Sequence, residues 1–234
     1  MENLAVSREE WLIARKALLE REGEEIGLRD EINGMRLKMP RFKIEKDYTF
    51  DTGAGRKRLS DLFDGRSQLL IYHFMYGPDW GDACLRCSFV ADHINGGIVH
   101  LNNHDVTWTA VSRAPLNKIE AYKNRMGWTF PWVSSFGTEF NHDFNVSFTP
   151  EEMATGSVSY NYGMVPSGRV SDEMSGLSSF FKDTDGAIYH TYSAYQRSLE
   201  SLGSALMALD RAPLGRNETS SLSFVRRHDE YAAQ

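Results

Sequence analysis

The stretch from Gln68 to Val90, QLLIYHFMYGPDWGDACLRCSFV, constrains the fold more than any other. Gln68 to Phe74 is a continuous apolar run of strand length, the pattern of a strand buried on both faces. A Gly77-Pro78 turn follows, and then Cys84-Leu85-Arg86-Cys87 opens a segment to Ile94 that reads as a helix, with Gly96-Gly97 as its stop. The chain has no other cysteine in its 234 residues. Two thiols so placed can be a redox pair, a metal clip, or two core residues that lie close together.

Reaction requires a thiolate, because the neutral thiol is a poor nucleophile. A cysteine in the first turn of a helix sits beside unpaired backbone N–H groups and the positive end of the helix dipole, which favour the anion. Cys84 has that position, and Cys87 lies about one turn deeper on the same face. Cys84 is therefore the expected nucleophile toward a disulfide or a peroxide, and Cys87 the group that resolves the product. Arg86 would stabilise the thiolate, whereas Asp79 and Asp82 would oppose it. Trp80 either shields the thiols and offers a partner a flat apolar contact, or is a half-buried aromatic at the sheet edge.

The metal alternative has a specific pattern. Cys84, Cys87, His100 and His104 have zinc-finger spacing, Cys-x2-Cys-x12-His-x3-His. The context argues against it. A finger carries its cysteines on a small hairpin and both histidines on one helix, whereas Gly96-Gly97 breaks the segment here. No metal is expected. His73 and His190 read as satisfied core or edge histidines.

Around this centre, Ser7-Arg-Glu-Glu10 has capping-box spacing and starts an N-terminal helix. Gly23 is expected to interrupt it, and Pro40 ends the arm. Residues 42 to 50 alternate like strands, Ser60 to Phe63 reads as a short helix, and Asp105 to Ser112 as a strand. Pro115 to Met126 is helical. Pro131 demotes residues 128 to 133 to an edge or end. Residues 149 to 175 show no clear period, and so long a structureless loop is uncommon in a compact domain. Leu177 to Tyr192 carries a hairpin signal around Asp183-Thr-Asp-Gly186, and residues 194 to 209 read as a helix. This order gives an α/β class of thioredoxin type, a central mixed sheet sandwiched by helices with an N-terminal helical arm. The expected organisation is an arm over 1–40, a domain over 41–210 with an insertion around 146–176, and a tail over 211–234 packing on or extending from the domain.

Composition narrows the function. A net charge of −6 with mixed signs argues against general nucleic-acid binding. No apolar run approaches the ~20 residues that span a bilayer. The first residues lack a signal-peptide pattern, so the chain reads as cytoplasmic, where thiols are kept reduced. Neither a Gly-x-Gly-x-x-Gly nor a Walker pattern appears, and no cofactor is expected.

Long motifs add a resemblance. REEWLIARKALLEREGE, EKDYTFDTGAGRKRLSDLF, YHFMYGPDWGDACLRCSFVADHINGG, VSRAPLNKIEAYKNRMGW and IYHTYSAYQRSLESL resemble the DUF899 family of thioredoxin-like proteins, as do LDRAPLGRNE and FVRRHDEY. The resemblance implies a dithiol-disulfide oxidoreductase. Departures from thioredoxins are also visible. Ala83 precedes Cys84, Leu85-Arg86 separates the thiols, and Met174-Ser175-Gly176 has no proline where thioredoxins carry one. Pro78 is not at the peroxiredoxin offset from either cysteine. Arg113, at the end of a strand, either approaches the thiolate or an anionic substrate, or makes a plain surface salt bridge.

The expected activity is thus dithiol-disulfide exchange by Cys84 and Cys87, with Trp80, Arg86 and Arg113 in support. The substrate would be a disulfide-containing protein or a small thiol or disulfide, with an external electron donor. A thiol peroxidase using the same pair, or a non-catalytic binding protein on this fold, are the alternatives. The exposed-looking arm favours a homodimer.

Overall fold

The structure, a computed structural model, describes residues 5–231, so the last three residues of the expected tail lie outside it. Two compact units divide at Pro40 and Arg41. The first contains α1 (Arg8–Leu37), 30 residues long and capped by Ser7, whose hydroxyl accepts from the Glu10 N–H while Glu10 accepts from the Ser7 N–H. The expected break at Gly23 does not occur. A mid-helix glycine costs roughly 1 kcal/mol relative to alanine. Ion pairs Arg21–Glu24 and Glu25–Arg29, with Arg15–Glu22, span the region and favour continuity. No α1 residue is buried.

The second unit, residues 41–234, is built on an eight-stranded sheet and a separate hairpin. The strands are β1 (Phe42–Lys43), β2 (Thr49–Thr52), β3 (Gly55–Arg58), β4 (Gln68–His73), β5 (Val106–Ser112), β6 (Trp132–Ser134), β7 (Ser157–Tyr160), β8 (Gly163–Pro166), β9 (Gly176–Lys182) and β10 (Ile188–Tyr195). The sheet order is β1-β10-β9-β4-β5-β6-β2-β3, and β7 pairs only with β8. β4, β5 and β6 run parallel, and every other pairing is antiparallel. The helices are α2 (Leu85–Asn95), α3 (Ile98–Asn103), α4 (Leu116–Arg125), α5 (Phe140–Asp143), α6 (Pro150–Ala154) and α7 (Ser204–Leu209), with short 3-10 turns between them.

Side chains alternate across β4, as the pleat requires. Tyr72 and Phe74 enter one core with Trp108, Tyr122 and Trp132 beneath α2 and α4. Leu69 and Ile71 enter the other with Phe63, Phe140 and Phe180. A central strand feeds the cysteine helix, its parallel neighbour β5 lies on one side, and the antiparallel pair β9–β10 lies on the other. This is a thioredoxin-like α/β fold.

Two segments differ from the sequence expectation. Residues 149–175 are largely regular: α6, the β7–β8 hairpin and a 3-10 turn over Ser167–Arg169. Residues 194–209 are not one helix. β10 runs to Tyr195, a 3-10 segment covers Gln196–Leu202, and α7 follows Gly203. Gly203 sits where a Cβ would come within 2.7 Å of the Phe89 ring, so any side chain there would have to displace that ring. The tail belongs to this unit, burying Val225 against Phe89 and Leu206. No helix among the described residues is long and apolar enough to cross a membrane.

Candidate active site

Cys84 occupies the cap position of α2 with extended backbone angles, and its carbonyl accepts the first helical bond, from the Ser88 N–H at 2.9 Å. Its own N–H donates to the Met75 carbonyl at 3.1 Å, tying the helix start to the end of β4. Cys84 is partly exposed and Cys87 buried; both are free thiols.

The two sulfurs have opposite acidities. Cys84 is lowered from the usual 9.0 to about 6. The largest cause is a hydrogen bond from the Cys87 thiol, aided by the N–H groups of Cys87 and Arg86 and the Arg86 charge, while burial opposes them. Burial pushes Cys87 well up, reinforced by its hydrogen bond to Cys84 and the nearby negative charge. Contacts from Tyr72 and the Met75 backbone moderate that rise. A sulfur that favours the thiolate and one that keeps its proton therefore stand one helical turn apart.

Tyr72 was not legible as a site residue. It reaches Cys87 because it alternates toward α2 from β4, and burial raises its own phenol. Tyr160, on the β7–β8 hairpin, donates to the Ser175 carbonyl at 2.8 Å, and burial raises its phenol as well. Neither tyrosine has a neighbouring sequence signal; topology alone brings them together.

The thiols line a cavity of about 710 Å³. Its other walls come from the turn after β8, Met174-Ser175 before β9, the 3-10 segment at 196–202, and Ser221-Leu222 of the tail. Arg86 is on this wall and donates to the Ser221 carbonyl at 3.2 Å.

Trp80 and Arg113 lie elsewhere. The Trp80 indole donates to Asp172 at 3.1 Å, and the Lys118 ammonium donates to the carbonyls of Pro78 and Trp80, fixing the Gly-Pro loop. Trp80 does not line the cavity. Arg113 lies 3.3 Å from Glu173 and 3.2 Å from His142 Nε2, so it makes a salt bridge, but with a buried acid. Glu173 is raised to about 7 by burial, although Ser147 donates to it and Arg113 opposes the shift. His100 lies in α3 and His104 caps it. Among the described residues no three His, Cys, Asp or Glu side chains gather as metal ligands.

On the other face, His73 and His190 join through Ser178 and Ser193 in a buried chain of 2.7–2.8 Å hydrogen bonds. Burial lowers both histidines, His73 to about 3. Both rings stay neutral, His73 bonded through Nε2 while its buried Nδ1 is left without a partner among the described residues, and His190 is partly buried and bonded to Ser193.

No curated protein matches the chain. Similar solved structures include a peroxidoxin, BcpB, from Mycobacterium tuberculosis, at 14% identity and TM-score 0.46, covering 75% of this chain and 96% of that one. Another is peroxiredoxin Q of Xanthomonas campestris, at 15% and 0.46, covering 70% and 90%. A putative protein disulfide isomerase from Bacteroides thetaiotaomicron aligns at 16% and 0.40, covering 74% and 92%. The strand order, the paired thiols and the long sequence motifs fall within one family match that runs over residues 1–231: the chain belongs to DUF899, a family of bacterial proteins of unknown function.

Proposed function

We propose that this chain is a dithiol-disulfide oxidoreductase of a reducing cytoplasm, with Cys84 as nucleophile and Cys87 as resolving thiol. The observation that carries the reading is the opposed acidity of two sulfurs at one helix start, the anionic one open to a cavity. The Cys84 thiolate attacks one sulfur of a substrate disulfide. A mixed disulfide forms, and the other substrate sulfur leaves as a thiolate that takes up a proton. Cys87 then gives up its proton and attacks Cys84 Sγ. A Cys84–Cys87 disulfide forms as the second substrate sulfur leaves, so the substrate gains two electrons and the protein loses two. An external dithiol restores the reduced pair by the reverse exchange.

Alkylation of Cys84 as a function of pH tests the reading. The expected apparent pKa is about 6. A value at or above the ~8.5 of a free cysteine, or no Cys84–Cys87 disulfide in an oxidising thiol buffer, overturns it. Incubation with hydrogen peroxide and a recycling dithiol separates the peroxidase alternative: sustained peroxide consumption would favour it over disulfide exchange.

A further inference from the structure

We infer that the groove over Cys84 takes small organic disulfides built of an apolar body and a carboxylate, an assignment that rests on the thiol-disulfide reading above. A cavity of about 710 Å³ is the size of a small-molecule site. Its inner wall is apolar, with Met75, Val90, Met174, Leu199 and Leu206 beside the thiols.

Charge supplies the second half of the argument. Arg86, Arg169 and Arg197 line the cavity and are exposed, which puts them at its mouth. The single acid there, Glu200, is held by Arg197 at 3.1 Å and Arg216 at 2.9 Å. Arg169 has no polar partner among the described residues, and Arg86 faces only a carbonyl. On a chain of net charge −6 this is a local positive field, and an anion entering it gains without displacing an existing pair.

Sheet topology favours a small molecule over a protein strand. β4 is flanked by β5 and β9, and β9 by β4 and β10, so the strands beside the thiols offer no open edge to an extended peptide. Walls also rise on both sides, from the turn after β8 and from Ser221-Leu222.

The test uses the full reduced chain and three symmetrical disulfides, those of 6-mercaptohexanoic acid, 6-mercaptohexanol and 3-mercaptopropionic acid. Loss of thiolate absorbance gives the rate of protein oxidation. The hexanoate probe is expected to react about fivefold faster than the hexanol probe, with a preference that shrinks as salt is added. It is also expected to outpace the short propionate. Arg169→Gln brings the acid-to-alcohol ratio close to one, while Arg56→Gln, which removes the same charge on β3, keeps it. Equal rates for acid and alcohol, or a ratio indifferent to Arg169→Gln, overturn the carboxylate preference. Equal rates for hexanoate and propionate overturn the apolar body. In those cases exchange itself still runs; if no probe oxidises the Cys84–Cys87 pair, the catalytic reading fails with it.

Discussion

Cys84 owes its acidity first to Cys87 rather than to the helix it caps. Cys87→Ala should therefore raise the apparent pKa of Cys84 from about 6 toward the ordinary thiol range, read by alkylation rate against pH. If the helix start alone dominated, the value would not move. Two buried groups should also shape stability in opposite directions. His73 has a folded pKa of about 3 against 6.5 for the free ring, so the unfolded chain binds its proton first as pH falls. Its stabilisation is complete above about 6.5 and drains away toward 3. Glu173 is raised from 4.5 to about 7, so its contribution is complete below 4.5 and is lost as pH rises through 7. Urea midpoints measured across pH should show Glu173→Gln flattening the decline toward neutrality and His73→Asn flattening the acid limb. The spacing of the two cysteines was legible in the sequence because the chemistry sits within four residues. The partners of Arg113 and Cys87 were not, since Glu173 arrives from far along the chain and Tyr72 reaches the thiol only because β4 alternates toward α2.

Regular elements were legible where one periodicity ran unbroken, as in β4, β5 and α4. The reading failed where short elements alternate. Asn161 and Tyr162 both adopt positive φ, 51° and 63°, in the two-residue turn between β7 and β8. A tyrosine in that region carries no turn signal of the kind glycine gives. Gly23 in α1 misled in the other direction. Gly23 and Gly27 face open space, so a methyl group fits without contact. Gly23→Ala should stabilise α1 by about 1 kcal/mol and slow amide exchange around residue 23. Unchanged exchange would mean that the helix is limited elsewhere.

Across the folded unit, the last described residues close around the start of α2. Arg227 donates to the Tyr122 hydroxyl at 2.7 Å and to the Ala83 carbonyl at 2.9 Å, and Arg125 grips Asp229. Removing the Arg227 donors leaves partly buried acceptors unpaired, so Arg227→Ala should cost about 1–3 kcal/mol in urea unfolding. It should also speed modification of Cys87 in the native protein; unchanged labelling would show that the tail does not guard the inner thiol. The pairing of β4 with β9 joins Gln68 to Phe181, across more than a hundred residues. Contacts that distant form late. A refolding chain thus carries α2 and its sulfur anion before the strand and loop that screen what reaches them. Recovery from urea should accordingly depend on the oxidant in the buffer, as stray oxidants trap half-built chains that a finished one would turn away.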